Sequence, residues 1–83
     1  MKIEAILGLG MAEIDRAETL HPVWPNDFVK AAAIPAEEAG ELLKAANDYN
    51  EKNTSTRQMI TEAVHTAASA IRFLKNIEEK TNE

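Results

Sequence analysis

Apolar residues recur every three or four positions in three stretches of this chain. That spacing places side chains on one face of an α-helix, so the pattern predicts three helices. The stretches run from about Lys2 to Leu20, from Asn26 or Asp27 to about Asp48, and from about Ser55 to about Lys80.

Glycine and proline mark the expected interruptions. Gly8 and Gly10 each cost about 1 kcal/mol relative to alanine in a helix, which predicts fraying or a break there. The prolines of HPVWPND restrict the residues before them and separate the first two helices. Pro35 removes a backbone donor, so we expect a kink at Ile34 or a fresh helix start there.

The polar segment DYNEKNTST is the expected connection between the second and third helices. Ser55 followed by Gln58 matches a capping box, in which each side chain bonds the backbone of the other residue. The third helix should therefore open at Ser55, and NIEEKTNE should fray at its far end.

Composition supports an all-α fold. Hydrophobic residues make up 45% of the chain but aromatic residues only 5%, which favours closely packed helices over a β-sandwich. At 83 residues the chain is expected to form a single domain, residues 1–83, near the size at which one core is barely sufficient. We therefore predict a small bundle of about three helices that is completed by forming a homodimer or homotetramer.

Charge and cysteine content exclude several classes of function. The net charge of −5 argues against a partner of duplex nucleic acid, which normally needs a basic surface. The absence of cysteine excludes disulfides and thiolate metal sites. No apolar run approaches the roughly 18 residues of a membrane span, so we expect a soluble, cytoplasmic protein without a membrane partner.

Two short clusters carry the candidate chemistry. Glu38 and Glu41 lie three residues apart in the second helix, and Glu62 and His65 lie three apart in the third. Residues at that spacing share a helix face. If the second and third helices pack antiparallel, the clusters face each other and can hold a divalent cation. The default alternative for the first cluster, which includes Glu37, is a solvated or capping role near a helix start.

The third helix has two opposite arcs when it is read at about 100° per residue. A polar arc centred on Glu62 is commonly a solvated face, and that is the default expectation. Its mixture of carboxylate, imidazole, guanidinium and small polar groups also fits a functional surface. The polar arc comprises Ser55, Gln58, Glu62, His65, Ser69, Arg72 and Asn76, and the apolar arc comprises Ile60, Ala63, Val64, Ala67, Ile71 and Leu74.

These motifs also resemble a known family. EEAGE followed after twenty residues by EAVH is similar to the EExxE and ExxD signature of the MazG-like all-α nucleoside triphosphate pyrophosphohydrolases, which are related to the dimeric dUTPases. The resemblance covers roughly residues 21 to 74 and is strongest to short phage and bacterial members. It implies that magnesium bridges carboxylates and substrate phosphates while water releases a nucleoside monophosphate and pyrophosphate.

Carried over residue by residue, the resemblance implies that Glu38, Glu41 and Glu62 are metal ligands and that Glu37 helps to position metal or water. His65 stands where the family has aspartate. Magnesium prefers hard oxygen ligands, whereas imidazole suits softer cations. The expected cofactor is Mg²⁺, and His65 leaves three alternatives open: a preference for Mn²⁺ or a softer divalent cation, a site completed by water, or a binding protein that has lost catalysis.

Three further side chains have candidate roles. Arg72 and Lys44 can meet substrate phosphate, although an ion pair with an acidic neighbour and simple solvation are their alternatives. Trp24 can stack on a base or fill the core. The expected function is metal-dependent hydrolysis of a nucleoside triphosphate, and the alternative is a non-catalytic helical oligomer that binds nucleotide or supports protein assembly.

Overall fold

The computed structural model describes the backbone of residues 1–81 and the side chains of residues 1–77. It contains three α-helices, and residues 1–81 include no strand: α1 is Ile3–Leu20, α2 is Phe28–Lys52 and α3 is Thr56–Thr81. The predicted all-α fold is confirmed. No helix in the described part of the chain is long and apolar enough to cross a membrane.

The predicted break at the glycines is wrong, and so is the fresh helix start that was one alternative at Pro35, whereas the kink at Ile34 stays a prediction. α1 runs through Gly8 and Gly10 without a break, because the cost of about 1 kcal/mol for each glycine is outweighed by packing of this helix on α3. α2 likewise passes through Pro35 without a fresh start. The predicted cap of α2 is confirmed, since the Asp27 carboxylate accepts a hydrogen bond from the Val29 N–H at 3.3 Å.

The connection between α2 and α3 is shorter than predicted. α2 extends to Lys52 because Asp48 pairs with Lys44 at 4.0 Å and with Lys52 at 3.8 Å, one helical turn on either side. Asn53 then ends the helix in a left-handed conformation with φ of 51°, which asparagine tolerates better than most residues. Only residues 53–55 remain as the connection.

Ser55 caps the start of α3, but the predicted capping box with Gln58 does not form. The Ser55 hydroxyl accepts a hydrogen bond from the Arg57 N–H at 3.0 Å. The Gln58 amide instead donates to Glu62 at 3.3 Å. The glutamine is therefore drawn into the polar arc, where it orients a carboxylate.

α3 is the central helix. α2 packs antiparallel against it, as predicted, and α1 packs on it in parallel, with Glu13 beside His65 and Glu18 beside Arg72. Within the described residues α1 and α2 do not pack on each other. Within one copy α1 therefore packs on α3 rather than across both other helices, and the residues between α1 and α2 carry the chain from one side of α3 to the other.

The inner surface of this arrangement is polar. Among residues 1–77 the buried hydrophobic residues are three alanines, Ala31, Ala45 and Ala68, whereas Glu62, Ser69 and Arg72 of the polar arc are also buried. The default expectation that the polar arc faces water is therefore wrong. The apolar arc of α3 points outward, with Leu74 62% exposed and Ile71 48% exposed.

Candidate cation and phosphate site

Two carboxylates and an imidazole converge where α2 meets α3. Glu38 of α2 and Glu62 and His65 of α3 each offer a ligand atom, and these atoms all lie within 4.8 Å of one another. His65 Nδ1 is 3.7 Å from Glu38 Oε2 and 3.9 Å from Glu62 Oε2. Glu62 is only 9% exposed, so one side of the cluster is sealed by protein.

Helix geometry explains this convergence. Glu38 is flanked at seven residues on each side by Ala31 and Ala45, both buried against α3. Two turns of helix return a side chain nearly to the same face, so Glu38 points into the same seam. The small alanines let the two backbones approach closely, which brings the glutamate within reach of His65.

A third acidic side chain comes from α1, and sequence reasoning missed it. Glu13 Oε2 lies 3.5 Å from His65 Nε2. Arg16 donates to both oxygens of Glu13, at 2.8 and 2.6 Å, and this guanidinium lowers the pKa of Glu13. The available signal was that Glu13 shares a helix face with Ile6, Gly10 and Ala17, so a carboxylate interrupts an otherwise apolar stripe.

The two nitrogens of His65 therefore face different partners. Nδ1 points toward Glu38 and Glu62, and Nε2 points toward Glu13. A histidine that binds a metal through one nitrogen commonly donates the other N–H to a carboxylate, which fixes the ring orientation. The arrangement is compatible with this form, in which Glu38, Glu62 and Nδ1 would be the ligands and Glu13 the orienting carboxylate.

The donor set consists of two carboxylates and one imidazole nitrogen. Such a mixed set accepts divalent cations of intermediate softness, such as Mn²⁺, more readily than Mg²⁺, which prefers oxygen alone. Like charges at this distance also repel, and a cation relieves that repulsion. These residues therefore fit a divalent cation.

Glu37, Glu41, Lys44 and Arg72 of the predicted site residues lie outside this cluster. Glu41 lines a neighbouring groove together with Lys44 and Gln58, and it is not among the residues that reach the common point. Lys44 is largely exposed and pairs with Asp48 at 4.0 Å. Glu37 is exposed. Their predicted roles remain predictions.

Arg72 has protein partners on two sides. Its Nε donates to Glu18 at 3.1 Å and its Nη2 donates to the carbonyl of His21 at 2.6 Å. The guanidinium also lies 4.9 Å from the centre of the Trp24 ring, which is a cation–π distance. Arg72 thus links α3 to the end of α1 and to the proline-flanked loop. The Trp24 side chain is half-buried beside the Arg72 guanidinium.

A groove of about 320 Å³ extends from the cluster to this clamp. Its volume is at the lower end for small-molecule sites. Cationic groups, an aromatic ring and two side chains of the cluster, Glu38 and His65, all face the same space, so one elongated anionic molecule can touch each of them. The groove is lined by Glu13, Arg16, Ala17, His21, Val23, Trp24, Ile34, Glu38, His65, Ala68, Ser69 and Arg72.

No family model, curated protein or solved structure matches this chain. The resemblance to the MazG-like family therefore rests on the two motifs and their spacing. The geometry of the site is the independent basis for the functional proposal that follows.

Proposed function

We propose that the chain hydrolyses a nucleoside triphosphate to a nucleoside monophosphate and pyrophosphate with a divalent cation as cofactor. The observation that supports this most is the convergence of Glu38, Glu62 and His65 at one end of a groove that also holds Arg16 and Arg72. A bound cation would neutralise substrate phosphate and lower the pKa of an attacking water.

The protein groups have separate tasks in this proposal. Glu38, Glu62 and His65 bind the cation, and Glu13 orients His65. Arg16 lines the groove beside Glu13 and is half-exposed, so its guanidinium can meet phosphate oxygens. Lys44 of the neighbouring groove would meet the far phosphates, Glu41 beside it lies outside the cation cluster, and Glu37 keeps the water-positioning role that the family resemblance implies.

Trp24 and Arg72 close the other end of the groove. Arg72 already donates to Glu18 and to His21, so its main task in the proposal is to hold Trp24 in place. An aromatic ring in that position suits a nucleobase, because every base offers a face for stacking.

The alternative function is a non-catalytic helical oligomer that retains nucleotide or cation binding. The outward apolar arc of α3 favours it, because such a surface serves assembly rather than catalysis. Both functions are compatible with a cation at the cluster.

A panel of nucleoside triphosphates separates the two functions. Purified protein is incubated with each nucleotide and with Mg²⁺ or Mn²⁺, and pyrophosphate release is measured. The proposal expects release that depends on the metal and is lost in Glu62→Gln, with Glu4→Gln as the matched control on an exposed glutamate of α1. Absence of release from every nucleotide, with cation binding intact, would favour the non-catalytic alternative.

A further inference from the structure

The outward face of α3 is an uninterrupted apolar surface. Six residues of this helix are apolar and exposed: Ile60, Ala63, Ala67, Ala70, Ile71 and Leu74. They carry no charge, and they recur every three or four residues, which is the spacing of a helix that packs on another helix. We call this surface the α3 seam.

The total exposed area indicates how much surface remains to be covered. The chain exposes 6146 Å², whereas a folded monomer of 9.2 kDa exposes about 4,900 Å². The excess is about 1,200 Å². A stable interface buries about 800 Å² on each partner, so the excess is as large as one side of a dimer interface.

The α3 seam is complementary to itself. Ile60 and Leu74 lie seven residues before and after Ala67, and Ala63 and Ile71 lie four before and four after it. If two copies of α3 cross antiparallel at Ala67, each large residue meets an apolar residue of the other copy. A twofold axis requires this kind of self-matching surface, and the alanines at its centre allow close helix approach.

Apolar crevices flank both ends of the α3 seam. One crevice of about 210 Å³ lies between α1 and α3 and is lined by Ile6, Leu9, Ile60 and Val64 among others. A second, of about 310 Å³, lies where α2 meets the Leu74 end of α3. In an antiparallel pair, Leu74 of the second copy comes opposite Ile60, where it can enter the first crevice.

We propose that a second copy of this chain covers the α3 seam, with the two α3 helices antiparallel and Ala67 at the twofold axis. This goes beyond the proposed enzymatic function. Ala67 lies about 140° around the helix from Glu62, so the interface faces away from the cation cluster. The groove beside the cation cluster therefore stays open in each copy of the dimer.

Cross-linking tests the axis directly. The chain has no cysteine, so Ala67→Cys introduces a single thiol in each copy. A disulfide needs Cα atoms about 4.4–6.8 Å apart, a distance that two copies of one residue reach only beside a twofold axis. Under mild oxidation we expect rapid covalent dimerisation of Ala67→Cys and none of Thr61→Cys, an exposed position on a different side of α3.

Opposite charges at the same position provide a second test. Ala67→Glu and Ala67→Lys each place two like charges at the axis, so we expect each variant alone to be monomeric at micromolar concentration while keeping its helical circular dichroism. An equimolar mixture should recover a dimer in light scattering, because unlike charges then meet. Thr61→Glu should stay dimeric.

Three results would overturn the proposal. The first is a wild-type chain that is monomeric at tens of micromolar. The second is a dimer that Ala67→Glu leaves unchanged. The third is equally fast cross-linking at residues 61 and 67, which would place the interface on another surface, such as the outer face of α2.

Discussion

At the scale of single residues, His65 is the centre of the candidate site. It meets Glu13 of α1, Glu38 of α2 and Glu62 of its own helix within 3.9 Å. An imidazole can contact three carboxylates because its two ring nitrogens point in different directions. The identity of this one side chain therefore decides both the cation preference and the link to α1.

Replacing His65 by aspartate tests that role. His65→Asp adds an oxygen ligand and removes the softer nitrogen, so we expect the ratio of Mg²⁺ to Mn²⁺ affinity to rise at least about tenfold. Calorimetric titration with each metal measures the ratio. An unchanged ratio would place His65 away from the cation.

Glu13 gives an independent test, because it acts through His65. Glu13→Gln keeps the size of the side chain but weakens the orienting contact with Nε2, so Mn²⁺ affinity should fall about 10- to 100-fold. The matched control is Glu4→Gln, on an exposed glutamate of the same helix. Equal affinities in the two variants would show that Glu13 does not orient the imidazole.

The sequence predicted part of this site and missed part of it, for a physical reason. Spacing within a helix predicts that Glu62 and His65 share a face, and antiparallel packing of α2 on α3 brings Glu38 to them. Glu13 is 52 residues from His65 in the chain. Its position depends on the parallel packing of α1, which no local pattern encodes.

At the scale of the elements, α3 is inverted relative to an ordinary amphipathic helix. Its polar arc packs inward on α1 and α2, and its apolar arc faces outward. The sequence predicted both arcs correctly but not which one is inside. The spacing of polar and apolar residues gives the angle between the two arcs around the helix axis. Which arc is buried depends on what packs against each arc, including a second copy of the chain.

Arg72 is the strongest link between these elements, and its removal should loosen α1. Arg72→Ala leaves Glu18 and the His21 carbonyl without their donor and removes the support of Trp24, so we expect a loss of about 2–3 kcal/mol in the free energy of unfolding. Urea unfolding at fixed protein concentration measures it. A loss below about 0.5 kcal/mol would match an ordinary surface pair and contradict the clamp.

The ion pair between Arg72 and Glu18 should weaken at acid pH. Lys75, with Arg72, holds the pKa of Glu18 below its ordinary value of 4.5. A carboxyl group whose pKa is lower in the folded state than in the unfolded state stabilises the fold at pH values above its unfolded-state pKa. That stabilisation is lost as the pH falls through the folded-state pKa. Wild type should therefore exceed Glu18→Gln in the free energy of unfolding at pH 7, and the difference should shrink below about pH 4. A difference that is equal at both pH values would contradict the ion pair.

At the scale of the whole molecule, no large apolar side chain among residues 1–77 is fully buried. The buried hydrophobic side chains in that range are alanines, so little hydrophobic stabilisation comes from fully buried side chains within one copy. The helices themselves were predictable from periodicity. The proposed dimer was predictable only as a need for a partner, because no pattern within one chain specifies which surfaces of two copies meet.

Stability should consequently depend on concentration. If the native state is a dimer, the melting temperature rises with protein concentration by mass action. Circular dichroism melts at 2 and 200 µM should show a clear upward shift for wild type and almost none for Ala67→Glu. Melting temperatures that do not change with concentration in wild type would indicate a stable monomer.

The central claim is that Glu38, Glu62 and His65 form a divalent cation site. Calorimetric titration of Mn²⁺ into Glu38→Gln and Glu41→Gln tests it most directly, because these two glutamates lie one turn apart on α2 and only Glu38 reaches the cluster. We predict that Glu38→Gln weakens binding at least about tenfold relative to wild type and that Glu41→Gln changes it much less. Wild-type protein that binds no Mn²⁺, or a Glu38→Gln variant that binds as tightly as wild type, would contradict the account.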